Sequence, residues 1–438
     1  MEDLKKQEAR LLLTGAFGAL LALTGSAAVA QAAAAPASSM ASDPNPYYLG
    51  ASEAITHDTN IYRVPGGKSG NYSSTSLLGG FDQPIGRQRI FANASVSANR
   101  YQDESQLNNT SYNIAGGLDW STIGKLSGNV NVSLNQNLAA PAASATEPVA
   151  RRNVAQTEGL DARIRYGGAS LLTLEGSLGY SKVDYSAPEY ASSESHQDSG
   201  SLGLYYRPSG LLRLGLAYRI NRSETPKALL DLTTGAFTPN TTRGKNLDLT
   251  ADYDLSGQLS FNGRLSYTRQ RNSGISSADF SGLTGGASVG YRPTGKLSFS
   301  LNASRDAGFN TSPYYSGNYD VVQTPSGPVL TPVTGLYENN QVTDSLGLGV
   351  VYAATAKVSA NAGLRYARAK LVSGASAGQA GPDTTDVVRG ASIGANWAIS
   401  RIWSLGCSVS HESRDVSGGV NYSYSANTVG CSAQVTWR

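Results

Sequence analysis

The chain has 438 residues, enough for two or three ordinary soluble domains or for one large closed sheet. Only 15% of them are charged and 40% hydrophobic, while Gly (49) and Tyr (24) are rich and Cys (2), Met (2) and His (3) are poor, a profile of many strands with one polar and one apolar face. The formal net charge of +3, with no basic stripe carrying interleaved aromatics, excludes nucleic acid as a partner.

The first segment has an apolar stretch from Leu11 to about Ala30, followed by small residues suited to signal peptidase, with Ala28-Val29-Ala30 as a cleavage site. It predicts an export signal over 1–30, a flexible linker over 31–45 and one folded unit over 46–438. Lys5, Lys6 and Arg10 are balanced by Glu2, Asp3 and Glu8, so the usual positive excess is missing; the alternative is an uncleaved inner-membrane anchor. No Cys follows the stretch, which argues against lipid anchoring. Downstream no run of about 18 apolar residues occurs, so a membrane span there must be made of strands.

From residue 79 onward one layout recurs: a strand, a tight turn of Gly, Ser or Pro, and a second strand. It is read in "GGFDQPIGRQRIFANASV" (79–96), "LDWSTIGKLSGNVNVSL" (118–134), "IRYGGASLLTLEGSL" (164–178), "LYYRPSGLLRLGL" (204–216), "ADYDLSGQLSFNGRL" (251–265), "VGYRPTGKLSFSL" (289–301), "VVYAATAKVSANAGL" (350–364) and "ANWAISRIWSLGCSV" (395–409). These are β-hairpin signatures spaced roughly 40 to 60 residues apart, a period of repeated supersecondary units. Longer, polar, irregular stretches separate them, the longest from about Phe309 to Asn340. Short turns on one side and long loops on the other predict an all-β, up-and-down antiparallel transmembrane barrel, with periplasmic turns and extracellular loops. Two strands around each of eight turns, plus a first strand near Tyr47 to Thr56 and a last, make eighteen; sixteen is the count if that first strand is not one.

Alternation supports strands over helices: Leu297, Phe299, Leu301 and Ala303 fall on one face, and Ser298, Ser300, Asn302 and Ser304 on the other. On every strand entering a short turn an outward-phase aromatic precedes the turn: Phe81, Trp120, Tyr166, Tyr206, Tyr253, Tyr291, Tyr352 and Trp397, with Trp437 at the equivalent place on the last strand. Rings at one height are what a membrane–water interface selects, so these nine predict the periplasmic aromatic girdle. A soluble sandwich also alternates, but its strands are shorter and its turns less lopsided.

The inward phase reads Ser, Asn, Gly and Thr with ions of both signs. Arg163, Arg165, Arg213, Arg264 and Arg365 stand against Asp119, Asp161, Glu175, Asp248, Asp252 and Asp254 as predicted lumen-lining residues, in a barrel wide enough for an aqueous interior. Hydroxyls and amides exchange hydrogen bonds with a hydrated solute without holding it tightly. His57, His196 and His411 are far apart and beside no nucleophile motif, and no phosphate loop, G-x-S-x-G, CxxC or H-E-x-x-H is present. Asp252 and Asp254, beside Asp248, read as lumen polarity rather than as an acid/base pair. The expectation is a protein with no catalytic residue, no metal and no cofactor.

Cys407 and Cys431 lie almost equidistant from the centre of the last loop, near 416–420, so antiparallel pairing sets them opposite one another. In an oxidising exported compartment this predicts a cross-strand disulfide on the lipid face; the alternative is two small buried thiols. The chain ends "NTVGCSAQVTWR", in which Val429, Cys431, Ala433, Val435 and Trp437 share a phase and resemble the C-terminal signal read by the bacterial barrel-assembly machinery, with Arg438 as the departure.

"YYLGASEAITHDTNIYRVP" (47–65), through Asp58-Thr59-Asn60-Ile61-Tyr62-Arg63, and the run of "Y-R-P-[ST]-G-[KL]-L" turns resemble the β-barrel porin family that includes outer-membrane proteins encoded in exopolysaccharide biosynthesis operons. That resemblance implies the cell outer membrane, a conduit taking part in exopolysaccharide export, and polysaccharide and periplasmic export components as partners beside outer-membrane lipid and the assembly machinery; it transfers no site residues. Two other readings of the residues stay open. One is an uptake porin, general or sugar-selective; the other is a non-conducting surface scaffold whose lumen is plugged by 309–340.

Overall fold

The computed structural model describes residues 46–437 apart from 140–151, 169, 231–236, 256, 274–278, 325–326, 374–383 and 418–422. The predicted export signal, the whole linker and Arg438 lie outside the described residues. Eighteen strands follow in chain order: β1 (Tyr47–Asp58), β2 (Gly70–Ile85), β3 (Gln88–Tyr101), β4 (Asn109–Ser121), β5 (Leu126–Leu138), β6 (Val154–Tyr166), β7 (Leu172–Tyr185), β8 (Ser195–Tyr206) and β9 (Leu212–Leu230). The second half consists of β10 (Phe237–Leu255), β11 (Leu259–Asn272), β12 (Phe280–Tyr291), β13 (Leu297–Thr324), β14 (Gly327–Ala353), β15 (Val358–Ser373), β16 (Thr384–Ala398), β17 (Trp403–Ser417) and β18 (Tyr424–Trp437). Each strand pairs antiparallel with its chain neighbour, and β1 closes the sheet by pairing with β18 from Leu49↔Trp437 to Asp58↔Thr428. The predicted up-and-down barrel of eighteen strands is therefore the fold, and the first strand is part of it. Closure leaves no strand edge unpaired, the condition for a sheet that crosses lipid.

The repeated turn has a local cause. In four copies a hydroxyl accepts two backbone N–H groups that the reversal leaves unpaired. Ser209 takes those of Leu211 and Leu212, Thr294 those of Lys296 and Leu297, Thr355 those of Lys357 and Val358, and Ser400 those of Ile402 and Trp403, at 2.9–3.3 Å. Side-chain capping of this kind is why Ser and Thr recur there. Between β2 and β3 the reversal rests instead on Gly86, whose φ of 62° a residue with a Cβ rarely adopts.

The two faces divide by period two. Leu214, Leu216, Tyr218 and Ile220 of β9 are 41–51% exposed, as are Leu247 and Leu249 of β10 at 50% and 54%, and all share the outward phase. A belt of exposed Leu, Ile and Tyr on one face is stable only against lipid. Glu53 of β1 breaks that belt, outward and exposed between Thr75 and Ala433; an acidic residue there costs less than Lys or Arg would.

The stretch from Phe309 to Asn340 differs from the irregular loop expected. Its backbone continues β13 and β14 as one paired hairpin, from Phe309↔Asn340 to Thr324↔Gly327, with a register shift between Tyr315 and Tyr319. The hairpin makes two strands of 28 and 27 residues, far longer than the roughly 9–11 residues that cross a bilayer. It therefore rises beyond the membrane on the side opposite the short turns. Above the lipid it approaches the 3-10 segment Pro188–Ser193, which joins β7 to β8.

Cys407 and Cys431 stand directly opposite in the β17–β18 register, 4.1 Å apart at Cα, and are joined as a disulfide on the outward face. Unreduced, unfolded protein treated with an alkylating reagent is expected to gain no mass, and reduced protein to gain two alkyl groups by mass spectrometry. Two alkyl groups on unreduced protein would refute the bond.

Candidate functional site in the lumen wall

Inward-facing side chains come from alternate positions of all eighteen strands, so the wall of the lumen is the candidate site. Arg163 and Arg165 of β6, Glu175 of β7, Arg213 of β9 and Asp252 of β10 meet on neighbouring strands. Glu175, 7% exposed, accepts hydrogen bonds from Arg165 Nε at 2.8 Å and Arg213 Nη2 at 3.0 Å, and forms an ion pair with Arg163, Nε at 3.3 Å. Arg213 also lies 3.6 Å from Asp252 and stacks on the Tyr205 ring, with 3.8 Å from guanidinium carbon to centroid. A Cβ on Gly215 would come within 2.4 Å of that ring, so the glycine is what lets Tyr205 lie flat on the wall. Arg207, in the β8–β9 turn, is drawn into this cluster: burial and the cations Arg213 and Arg165 hold its pKa below the usual guanidinium value. The sequence reading missed both Tyr205 and Arg207.

The other predicted lumen residues lie around the ring in separate pairs. Asp248 of β10 takes Arg219 at 2.9 Å, and Arg264 of β11 faces Asp306 of β13 at 3.7 Å. Asp119 of β4 shares Arg89 with Asp82, at 3.3 and 2.6 Å. Arg365 of β15 reaches Glu412 of β17 at 2.5 Å. Asp161 and Asp254 face inward without an ion pair among the described residues. Between these ions run hydroxyl and amide contacts from strand to strand, among them Ser76–Ser97 at 2.8 Å, Ser177–Ser201 at 2.6 Å and Thr268–Thr284 at 2.7 Å.

A second cluster ties the β1–β2 loop to the inner wall. Arg63, with φ 55° and 6% exposed, places its guanidinium on both Asp58 oxygens at 2.9 and 2.8 Å, on the Asn60 carbonyl, and 3.7 Å from Glu412. The Asn60 amide donates to the carbonyls of Val64 and Ser425, and the Tyr424 hydroxyl donates to Glu412 at 2.7 Å. Asp58 to Arg63, read in the sequence only as the carrier of a resemblance, is thus a polar knot. Just above it, Tyr62 donates to Glu104 at 2.5 Å and Lys68 pairs with Glu104 at 2.5 Å, which clamps two extracellular loops together. Burial and the Glu104 carboxylate push the Tyr62 hydroxyl up to about 12, while Lys68 and Tyr62 hold Glu104 below the usual carboxylate value.

The nine aromatics Phe81, Trp120, Tyr166, Tyr206, Tyr253, Tyr291, Tyr352, Trp397 and Trp437 all take the outward phase at the short-turn end, with Tyr166 60% and Trp437 51% exposed. Tyr47, Phe299 and Trp403, on strands leaving that end, add to the ring; Tyr47 lies 6.4 Å from Phe81 and Phe299 6.4 Å from Tyr291. His57, His196 and His411 stand outward at the upper ends of β1, β8 and β17. Their ring nitrogens face Asn71 at 2.7 Å, Glu224 at 3.8 Å and Asn427 at 2.8 Å respectively. No group of three or more His, Cys, Asp or Glu could hold a metal among the described residues.

No protein-family model and no curated protein matches the chain. Among solved structures it is similar to the outer-membrane protein OpdK of Pseudomonas aeruginosa, 14% identical over 89% of this chain and 99% of that one, with a TM-score of 0.45. It is also similar to OccK2 (OpdF) of the same organism, 14% identical over 90% and 98%, with a TM-score of 0.46, and to the siderophore receptor PirA of Acinetobacter baumannii, 7% identical over 90% and 81%, with a TM-score of 0.41. The class of the wall rests on its own features: a closed antiparallel ring, apolar outside and polar inside, with aromatics at one height. Together these make it an outer-membrane β-barrel.

Proposed function

We propose that the barrel is a passive channel for small, uncharged hydrophilic solutes such as sugars, taken up down their gradient. The observation that carries this reading is the pairing of the lumen ions. Seven carboxylates of the inner face, Asp82, Asp119, Glu175, Asp248, Asp252, Asp386 and Glu412, lie within 4.0 Å of a guanidinium, against two, Asp161 and Asp254, with no ion pair among the described residues. A paired wall presents dipoles rather than a field of one sign, so it neither concentrates nor repels ions strongly. The Ser, Thr and Asn lining between the pairs exchanges its hydrogen bonds with a sugar's hydroxyls as readily as with water.

A polysaccharide export conduit rests on the likeness of 47–65 and of the Y-R-P-[ST]-G-[KL]-L turns, and the turns are hairpin reversals capped by Ser or Thr. Asp58 to Arg63, which carry the first part of that likeness, hold a loop to the wall, an occupation that needs no polysaccharide. The partners that go with the channel are outer-membrane lipid and the assembly machinery that reads Val429 to Trp437.

Purified protein in planar bilayers is expected to conduct in steps with a cation-to-anion permeability ratio of about one, as a charge-balanced wall requires. Proteoliposomes should swell faster in monosaccharides than in trisaccharides. Absence of conductance, or swelling no faster than in protein-free liposomes, would refute the channel; a permeability ratio beyond about ten would refute charge balance as its basis.

A further inference from the structure

The outward face carries an unbalanced cluster of charge at one place. Arg222 of β9, Arg243 and Lys245 of β10, and Arg269 and Arg271 of β11 all point outward and are exposed. The strand register sets Arg243 directly opposite both Arg222 and Arg271, and Lys245 directly opposite Arg269. Like charges facing one another across a strand pair are destabilising. Arg222 has Glu224 at 2.8 Å, shared with His196, and Asp198 directly opposite it on β8. Among the described residues no carboxylate lies within salt-bridge distance of the other four. Elsewhere on the rim Lys182, Arg305 and Arg389 have carboxylates in Asp184, Asp344 and Asp415; Arg100, Arg368 and Lys370 have no ion pair among the described residues, but they do not face other cations across the strand register.

Height identifies what lies against this cluster. Lys245 and Arg243 are eight and ten residues above the girdle residue Tyr253 on the same strand, which at about 3.3 Å per residue and a tilt near 45° is roughly 19–23 Å. An outward apolar band is about 25 Å tall, so the guanidinium and ammonium groups sit at the outer headgroup level.

Exposed cations at that level face the anionic headgroups of the outer leaflet.

We propose that β9–β11 form a binding site for the headgroup of a phosphorylated glycolipid of the outer leaflet, its phosphates on Arg243, Lys245, Arg269 and Arg271. Two guanidinium groups side by side suit a sugar phosphate, because each offers paired N–H donors in a plane. A basic residue near an anionic headgroup contributes on the order of fivefold in affinity.

The test uses the full barrel in detergent, titrated with diphosphoryl lipid A and followed by native mass spectrometry and by thermal unfolding. One lipid per barrel is expected, with monophosphoryl lipid A weaker and phosphatidylglycerol at least tenfold weaker. The variant Arg243→Ala, Lys245→Ala, Arg269→Ala, Arg271→Ala should lose at least tenfold. Arg243→Lys, Arg269→Lys, Arg271→Lys, which keeps the charge, should stay within about fivefold of the parent. Arg368→Ala with Lys370→Ala, on another part of the rim, should change nothing. Undiminished binding by the four-alanine variant, or equal binding of phosphatidylglycerol and diphosphoryl lipid A, would overturn the site. Pyrophosphate binding as tightly as the lipid would overturn its lipid identity.

Discussion

Arg63→Ala is expected to cost about 3–5 kcal/mol of unfolding free energy, the range seen when one partner of a buried ion pair is removed. The guanidinium and the Asp58 carboxylate are only 6% and 7% exposed. Once the guanidinium is gone, the carboxylate keeps a single backbone donor, Asn60 N–H at 2.8 Å, and the Thr428 hydroxyl at 3.2 Å. Glu412 fares better, because Arg365 and Tyr424 still reach it. Three companion variants separate the causes. Asp58→Asn with Arg63→Ala should recover at least half of the loss, since no unpaired charge remains. Arg63→Lys should recover less than that, because an ammonium cannot bridge both oxygens in a plane. Arg63→Gly should be less damaging than Arg63→Ala by about 1 kcal/mol, because φ at this position is 55° and only glycine takes it without a penalty. Urea unfolding of the barrel in lipid vesicles, monitored by Trp emission, measures all four. A loss below about 1 kcal/mol for Arg63→Ala would mean that the knot is solvated and the loop held elsewhere.

What the sequence made legible follows from the range of each signal. Turns, girdle and strand phase depend on residues within about ten positions of one another, and lipid on one side and water on the other enforce them at every crossing. The same logic explains the misreading of 309–340. Above the membrane neither face of a strand meets lipid, so period two vanishes although the backbone continues to pair. Pro313, Pro328 and Pro332 then make a paired hairpin read as a broken loop.

Contacts between remote residues were hidden for a different reason. Arg63 and Glu412 are separated by nearly the whole chain, and β1 meets β17 only across β18, once the ring has closed. In the lumen the sequence assigns Glu175, Arg165 and Arg213 a face but no partner. On the rim, Arg243 and Lys245 look like ordinary solvated residues until the register places Arg222, Arg271 and Arg269 against them. Register is set by turn geometry and closure together, and no single strand encodes it.

The division of the wall into two solvents has a consequence that adjacent residues test most directly. Leu301 and Asn302 are consecutive on β13. Leu301 faces outward, 42% exposed, opposite Val289 and Leu348, and Asn302 faces the lumen and is exposed there, opposite Ser288 and Gly347. Leu301→Arg should destabilise the barrel by about 1–2 kcal/mol, the cost of a guanidinium on the lipid face between the girdle and the midplane. Asn302→Arg should leave stability within about 0.5 kcal/mol, because the added charge stays in water. It should nonetheless shift single-channel selectivity toward anions, since it adds an unpaired cation to a balanced wall. Leu301→Arg, where it folds, should leave selectivity unchanged. The two variants carry the same charge one residue apart, so propensity, size and net charge cancel in the comparison and only the medium differs. Equal stability losses in the two would mean that the inner face is packed rather than wet. A stability loss confined to Leu301→Arg, with unchanged selectivity in Asn302→Arg, would keep the barrel and remove the channel.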